Sequence, residues 1–170
     1  MAKKSKSKKA KKTAKTASSD GSRTVSENRK ARHKYEIQEQ LECGIMLVGS
    51  EVKSLREGKL SLDEAYVRLI KNELFMVGAD ISEYRQATIW NHDTRRPRKL
   101  LVHAVQLRKL AARLNERGLT IVPLRVYFNG RGIVKVMIGV GRGKRIHDKR
   151  NTLKDREAKR HIDRAMKRRN

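Results

Sequence analysis

Tyr35-Glu36-Ile37-Gln38-Glu39-Gln40-Leu41-Glu42-Cys43-Gly44-Ile45-Met46-Leu47 is the stretch on which the fold turns. Tyr35, Ile37, Leu41, Cys43, Ile45 and Leu47 alternate with Glu36, Gln38, Gln40, Glu42 and Gly44, the period of two expected of a strand with one buried and one solvated face. The result is a long, half-wet first strand. Cys43 falls on its apolar side, where a small buried residue is expected rather than a nucleophile.

Toward the C-terminus, Val48, Val52 and Leu55 recur at helical spacing before Gly58, which predicts a short helix from about Ser50 to Glu57 plugging one end of a sheet. Ala65, Val67 and Leu69, a Lys71-Asn72-Glu73 turn, and Phe75, Val77, Ala79 and Ile81 read as a hairpin. Leu107, Leu110, Ala111 and Leu114 mark an amphipathic helix that Gly118 terminates. Val122, Leu124, Val126 and Phe128 precede an Asn129-Gly130 turn, and Val134, Val136, Ile138 and Val140 follow it, while Pro123 suits an edge or a bulge. About five strands with hairpin connections and one interposed helix imply a mainly β chain with helices. The expected architecture is a small antiparallel barrel of the oligonucleotide-binding type, with flanking helices and disordered basic termini. A flat sheet with helices on one face is the alternative, and the strand order is left open.

Charge divides the chain in three. Forty-three Lys and Arg against eighteen Asp and Glu leave +25 on 170 residues, more than solubility requires, so a polyanionic partner is expected. Residues 1–27 form a Lys-rich extension without large apolar side chains and should be disordered. Residues 28–140 hold nearly all the large hydrophobics and form the barrel domain. Residues 141–170 carry thirteen Lys and Arg against four acids, a match for a phosphate backbone. One cysteine excludes an intrachain disulfide and a Cys-based zinc knuckle. No apolar run reaches a membrane span and the Lys-rich start lacks a secretory core, so a cytoplasmic protein is expected.

Catalytic constellations are not found. His33, His92, His103, His147 and His161 are scattered, with no pair at i, i+4, and Asp63-Glu64 reads as a solvated strand entrance. Gly139-Val140-Gly141-Arg142-Gly143-Lys144 resembles a phosphate loop only superficially, because Ile138 stands where the first glycine is required and Arg145 where the metal-binding hydroxyl belongs; a flexible exit from a strand fits better. No catalytic residue, metal, cofactor or small-molecule substrate is therefore expected. Arg29, Lys30, Arg32, His33 and Lys34, and separately Arg95, Arg96, Arg98 and Lys99, supply two basic clusters that folding could bring into one rim. Tyr35 and Trp90 could stack on bases, but only 4% of the residues are aromatic, so structured RNA read by shape and backbone is favoured over a stacked single strand.

Four motifs carry a resemblance. Asn28-Arg29-Lys30-Ala31-Arg32-His33-Lys34-Tyr35, Gly49-Ser50-Glu51-Val52-Lys53-Ser54-Leu55-Arg56-Glu57-Gly58-Lys59, Arg98-Lys99-Leu100-Leu101 and Gly143-Lys144-Arg145-Ile146-His147-Asp148-Lys149-Arg150 follow the order and spacing of the bacterial SsrA-binding protein family, small protein B. From residue 28 to 170 the chain resembles that family. The resemblance implies an oligonucleotide-binding-type barrel that holds the tRNA-like domain of transfer-messenger RNA and delivers it to ribosomes stalled on messages without a stop codon. It implies an adaptor in trans-translation, not an enzyme.

The resemblance also implies roles. Glu42 would contact base or sugar, since a carboxylate accepts amino or imino protons but repels phosphate. Leu101 and His103, the latter Asn in some members, would help hold the RNA. Arg32, His33, Tyr35, Lys53, Arg56 and Lys99 are candidates for backbone contact and stacking. Lys144, Arg145, His147, Asp148, Lys149, Arg150, Lys154, Arg156, Ile162 and Met166 would belong to a tail that enters the empty messenger channel of the small subunit, with His147 near the decoding centre.

The tail's own pattern is compatible with this. Asn151 or Thr152 can cap a helix in which Ala158, Ile162, Ala165 and Met166 form a narrow apolar stripe among repelling charges. Such a helix is expected to be loose alone and to fold on RNA. Ala158 stands where many members have Trp. The Lys-rich extension is longer than the family's usual leader and would be a nonspecific RNA tether at most.

Overall fold

A computed structural model describes residues 21–87, 91–114, 118–144 and Met166. The long first strand is β2 (Tyr35–Ile45), which pairs antiparallel with β9 (Val134–Gly143) from Tyr35↔Gly143 to Gly44↔Lys135. On its other edge β9 pairs with β8 (Leu119–Phe128). From β8 the sheet continues through β4 (Tyr66–Ile70), β5 (Glu73–Val77) and β7 (Arg98–Leu101), and β7 returns to β2. The six strands therefore close into an antiparallel barrel. Its seam lies between β4 and β8, which meet at Val67↔Ile121. Two short strands, β3 (Leu60–Ser61) and β6 (Asp80–Ile81), pair apart from the barrel.

Alternation explains the core. Val134, Val136, Ile138 and Val140 of β9 all point inward, as their spacing predicts, and Cys43 joins them. Helix α2 (Gly49–Arg56) contributes Leu55, and α3 (Ala104–Leu114) contributes Leu110 with Leu107 and Leu114 packed beside it. Pro123, which lacks the ladder N–H, sits at a register shift in β8. A second shift, between Ile37 and Glu39, explains why polar residues interrupt the apolar face of β2. Ile37 consequently packs in a small satellite cluster with Ala31, Val122 and Leu124, while Leu41 packs against the main core.

Six features differ from the expectations. Residues 23–27, assigned to the extension, form β1 (Arg23–Glu27), which pairs with β8 and packs Val25 on the core, so the folded region starts before residue 28. The flexible exit expected in the run Gly139–Lys144 is strand as far as Gly143, the end of β9: a Cβ on Gly141 would lie 2.5 Å from the Glu36 carbonyl oxygen, and glycine lets the strands close there. The basic run before β2 is helical, α1 (Arg29–Lys34), because the Asn28 side chain accepts a hydrogen bond from the Ala31 N–H at 2.9 Å and caps it.

In β5 the inward residues are Leu74 and Met76, each 1% exposed, rather than Phe75 and Val77. The two-residue turn at Lys71 and Asn72, both at positive φ (46° and 62°), sets Leu69 opposite Leu74 and Val67 opposite Met76, and residues opposite one another share a face. Ala79 and Ile81 turn inward only after Gly78, at φ 73°. Arg98, placed in a basic rim by the sequence, is wholly buried. The Asn129-Gly130 turn is wider than two residues, with Asn129 Oδ1 accepting from the N–H groups of Arg131 and Ile133. Residues 1–20 and, apart from Lys144 and Met166, the tail expectations for Arg145, His147, Asp148, Lys149, Arg150, Lys154, Arg156 and Ile162 lie outside the described residues, as does Trp90.

Candidate nucleic-acid interface

Position 51 supplies the frame. Glu51 accepts the Val48 N–H at 2.8 Å at the start of α2, and in the interior it meets Arg98 Nε at 2.8 Å and Arg96 Nη2 at 2.6 Å. Burial pushes the Glu51 carboxyl pKa up, but the hydrogen bonds from Arg96, Val48 and Arg98 outweigh it and leave it below its ordinary value. Arg98 spends its remaining donors on the carbonyls of Ala79, Arg96 and Thr94. These charges are therefore structural: they lock α2 to β7 and fix the strand residues that follow Arg98, Lys99 and Leu101 among them.

Beyond Arg98, Lys99 and Leu101 face outward. Leu101 pairs with Gly44 and stays 48% exposed, while Lys99 holds Glu73 at 2.5 Å. Glu42, two residues from Gly44 on β2, shares that outer face. Continuing the β2–β7 register by two residues would bring His103 level with Glu42, although the ladder itself ends at Leu101. His103 is exposed, and its carbonyl accepts the Leu107 N–H as α3 begins. Glu42 on β2 and Lys99, Leu101 and His103 on or just beyond β7 thus come from two separated segments to one side of the barrel.

Strands β8 and β9 complete this wall with residues the sequence reading passed over. Tyr127 donates its hydroxyl to Glu42 Oε2, Lys135 Nζ stands 3.4 Å from Glu42 Oε1, and the Arg125 guanidinium lies 4.7 Å from the centre of the Tyr127 ring. The Tyr127 hydrogen bond, opposed by desolvation and helped by Lys135 and Arg125, holds the Glu42 carboxyl below its ordinary range. Lys135 and Tyr127 occupy the outward positions between inward apolar neighbours, so a signal existed. Joining them to Glu42 required the order β2–β9–β8.

The other candidates stand apart. Arg32, His33 and Tyr35 gather at the opposite end of β2, about 24 Å along the strand from Glu42. There Tyr35 lines a 560 Å³ groove with Lys30, Lys34, Asp63, Tyr66 and Arg68. Lys53 lies over the Tyr84 ring at 5.2 Å, and the Arg56 carbonyl accepts from Arg23. The two basic clusters flank the Asp63-Glu64 pair, Lys30 reaching Asp63 at 2.7 Å and Arg95 reaching Glu64 at 3.7 Å, so that part of their charge is neutralised. Cys43 is buried, and desolvation pushes its thiol pKa up to about 12. Among the described residues no His, Cys, Asp and Glu cluster could hold a metal ion, and no helix is long and apolar enough to cross a membrane.

A closed barrel with an open wall of mixed carboxylate, cation and apolar groups defines a binding module of the oligonucleotide-binding type. Residues 25–168 match the family described as SmpB protein, and the chain belongs to that family. An SsrA-binding protein of Rhodopirellula baltica is 60% identical over 144 residues, covering 85% of this chain and 82% of its own length. One from Parvibaculum lavamentivorans is 51% identical over 149 residues, covering 87% of this chain and 90% of the relative. A solved chain from work described as "tmRNA-SmpB: a journey to the center of the bacterial ribosome" is 45% identical with a TM-score of 0.60, covering 75% of this chain and 92% of that one.

Proposed function

We propose that this chain is a cytoplasmic RNA-binding adaptor that takes the tRNA-like domain of transfer-messenger RNA (SsrA RNA) on its barrel and delivers it to stalled ribosomes for trans-translation. The observation that carries this reading is the convergence of Glu42, Leu101 and His103 on one open wall, in a family whose relatives are named for SsrA binding. A carboxylate at the centre of a chain with net charge +25 repels phosphate, so its place on that wall suits recognition of base or sugar donors. Arg32, His33, Tyr35, Lys53, Arg56 and Lys99 contribute backbone contacts around it. The barrel and the tail divide the labour: Lys144 and the basic residues after it, with Ile162 and Met166, enter the empty messenger channel of the small subunit and fold there.

Sequencing the RNA that copurifies with the full chain tests the reading. Enrichment of one RNA with a tRNA-like end is expected, and a mixture without enrichment would remove it. Copurification in stoichiometric amount with every ribosome would identify a ribosomal structural protein instead.

A further inference from the structure

We infer that Asn28 is a positioning residue for the C-terminal tail: through helix α1 it fixes the point and the direction at which the chain leaves the barrel after Lys144. This rests on the division of labour between barrel and tail proposed above, and goes beyond it in naming a residue outside the tail on which tail entry depends.

Hydrogen bonds trace the connection. One step beyond the last pair of the β2–β9 ladder, Tyr35↔Gly143, the register sets Lys34 opposite Lys144. The Lys144 N–H donates to the Lys34 carbonyl at 2.9 Å, and Lys144 Nζ donates to the Arg32 carbonyl at 3.4 Å. Arg32 and Lys34 belong to the last turn of α1, where carbonyls have no partner within the helix, so Lys144 satisfies two of them from outside. The root of the tail is thus bonded to a helix end as well as to a strand.

A helix of six residues does not hold its own shape, so whatever anchors α1 also anchors that root. Asn28 supplies the anchor with three bonds to three parts of the chain. Its Oδ1 accepts the Ala31 N–H at 2.9 Å, its Nδ2 donates to the Leu62 carbonyl at 2.9 Å, and its backbone N–H donates to the Leu124 carbonyl of β8 at 2.7 Å. Ala31 adds packing against Val122 and Leu124. Repulsion is what the anchor works against: Lys34 and Lys144 are like charges opposite one another, with Arg32 nearby and Arg142 one pair further in, where Glu36 offsets part of the charge. With α1 displaced, the ends of β2 and β9 would splay, and a change of direction there is multiplied along the 26 residues that follow Lys144.

Asn28→Ala in the full chain should speed amide exchange at Lys144 about tenfold, the scale of one lost cap, and should lower peptide tagging on stalled ribosomes by more than it lowers affinity for the tRNA-like RNA. A second pair of substitutions, Lys34→Cys with Lys144→Cys, separates direction from stability, because opposed strand residues stand within disulfide reach and the bond closes the root without α1. Within that pair the cost of the two replaced lysines cancels, and Cys43 is buried. There Asn28→Ala should lower tagging in the reduced protein and have no effect in the oxidised one, measured by reconstituted translation without thiol reductant. Unchanged exchange at Lys144 in Asn28→Ala would overturn the proposal, as would a tagging defect that oxidation leaves in place. If the cysteine pair itself does not tag, the single variant decides: faster Lys144 exchange and reduced tagging must occur together, and either without the other overturns the proposal. If the parent chain supports no tagging, the functional reading falls first, while exchange at Lys144 still tests the anchor.

Discussion

Arg98 shows how burial reverses the meaning of a residue. In the sequence it is one of four cations in five positions; in the structure it is 0% exposed and bound to Glu51. Glu51→Ala should therefore destabilise the fold by about 3–5 kcal/mol, because it leaves a buried guanidinium without its counter-charge. Chemical denaturation measures this. Because the Glu51 pKa is depressed in the folded state, its contribution is present above the ordinary carboxyl value and is lost as pH falls through the lower folded value. Glu51→Gln should flatten that acid limb. Cys43, raised to about 12, should resist thiol reagents at pH 8 until the barrel unfolds, a difference read by native and denatured alkylation rates. Cys43 was legible from alternation, and Pro123 from its missing ladder N–H. The partners of Arg98 and Tyr127 were not, since a charge or hydroxyl in a sequence carries no record of which strand will face it.

Local periodicity located most of the elements but not always their faces or ends. The β4–β5 hairpin and its turn were readable, whereas an unbroken apolar run, Leu74 to Val77, offers both parities and leaves the turn to choose. Helix α1 went unread because its residues after Asn28 are mostly charged, and its stability comes from the cap and from Ala31. Asn28 also donates to the Leu62 carbonyl at 2.9 Å, so Asn28→Ala should cost about 1–2 kcal/mol in thermal or chemical melts. Gly141→Ala should loosen the β2–β9 ladder. The clash with the Glu36 carbonyl predicts faster amide exchange at Tyr35–Ile37, with exchange near Gly44 unchanged, measurable residue by residue.

For the molecule as a whole, closure follows from strand count and connections, while the location of the proposed RNA wall follows only from strand order. Periodicity within each strand assigned inward and outward positions, yet it could not reveal that β9 lies between β2 and β8. The barrel and tail are predicted to separate functionally. Removing residues 145–170 should leave affinity of the barrel for the tRNA-like RNA within a few-fold in filter binding at moderate salt, while abolishing peptide tagging on stalled ribosomes. Equal loss of both would refute the division of labour.

That arrangement also fixes how the protein carries mechanical load. The tail continues from β9, which is bonded along both edges, and Lys144 is held by the Lys34 carbonyl at 2.9 Å where the strand ends. A pull along the strand axis therefore loads two long ladders in shear, with many hydrogen bonds sharing the force, instead of peeling one bond at a time. A tail gripped by a moving partner can transmit tension to the barrel without unravelling its anchor.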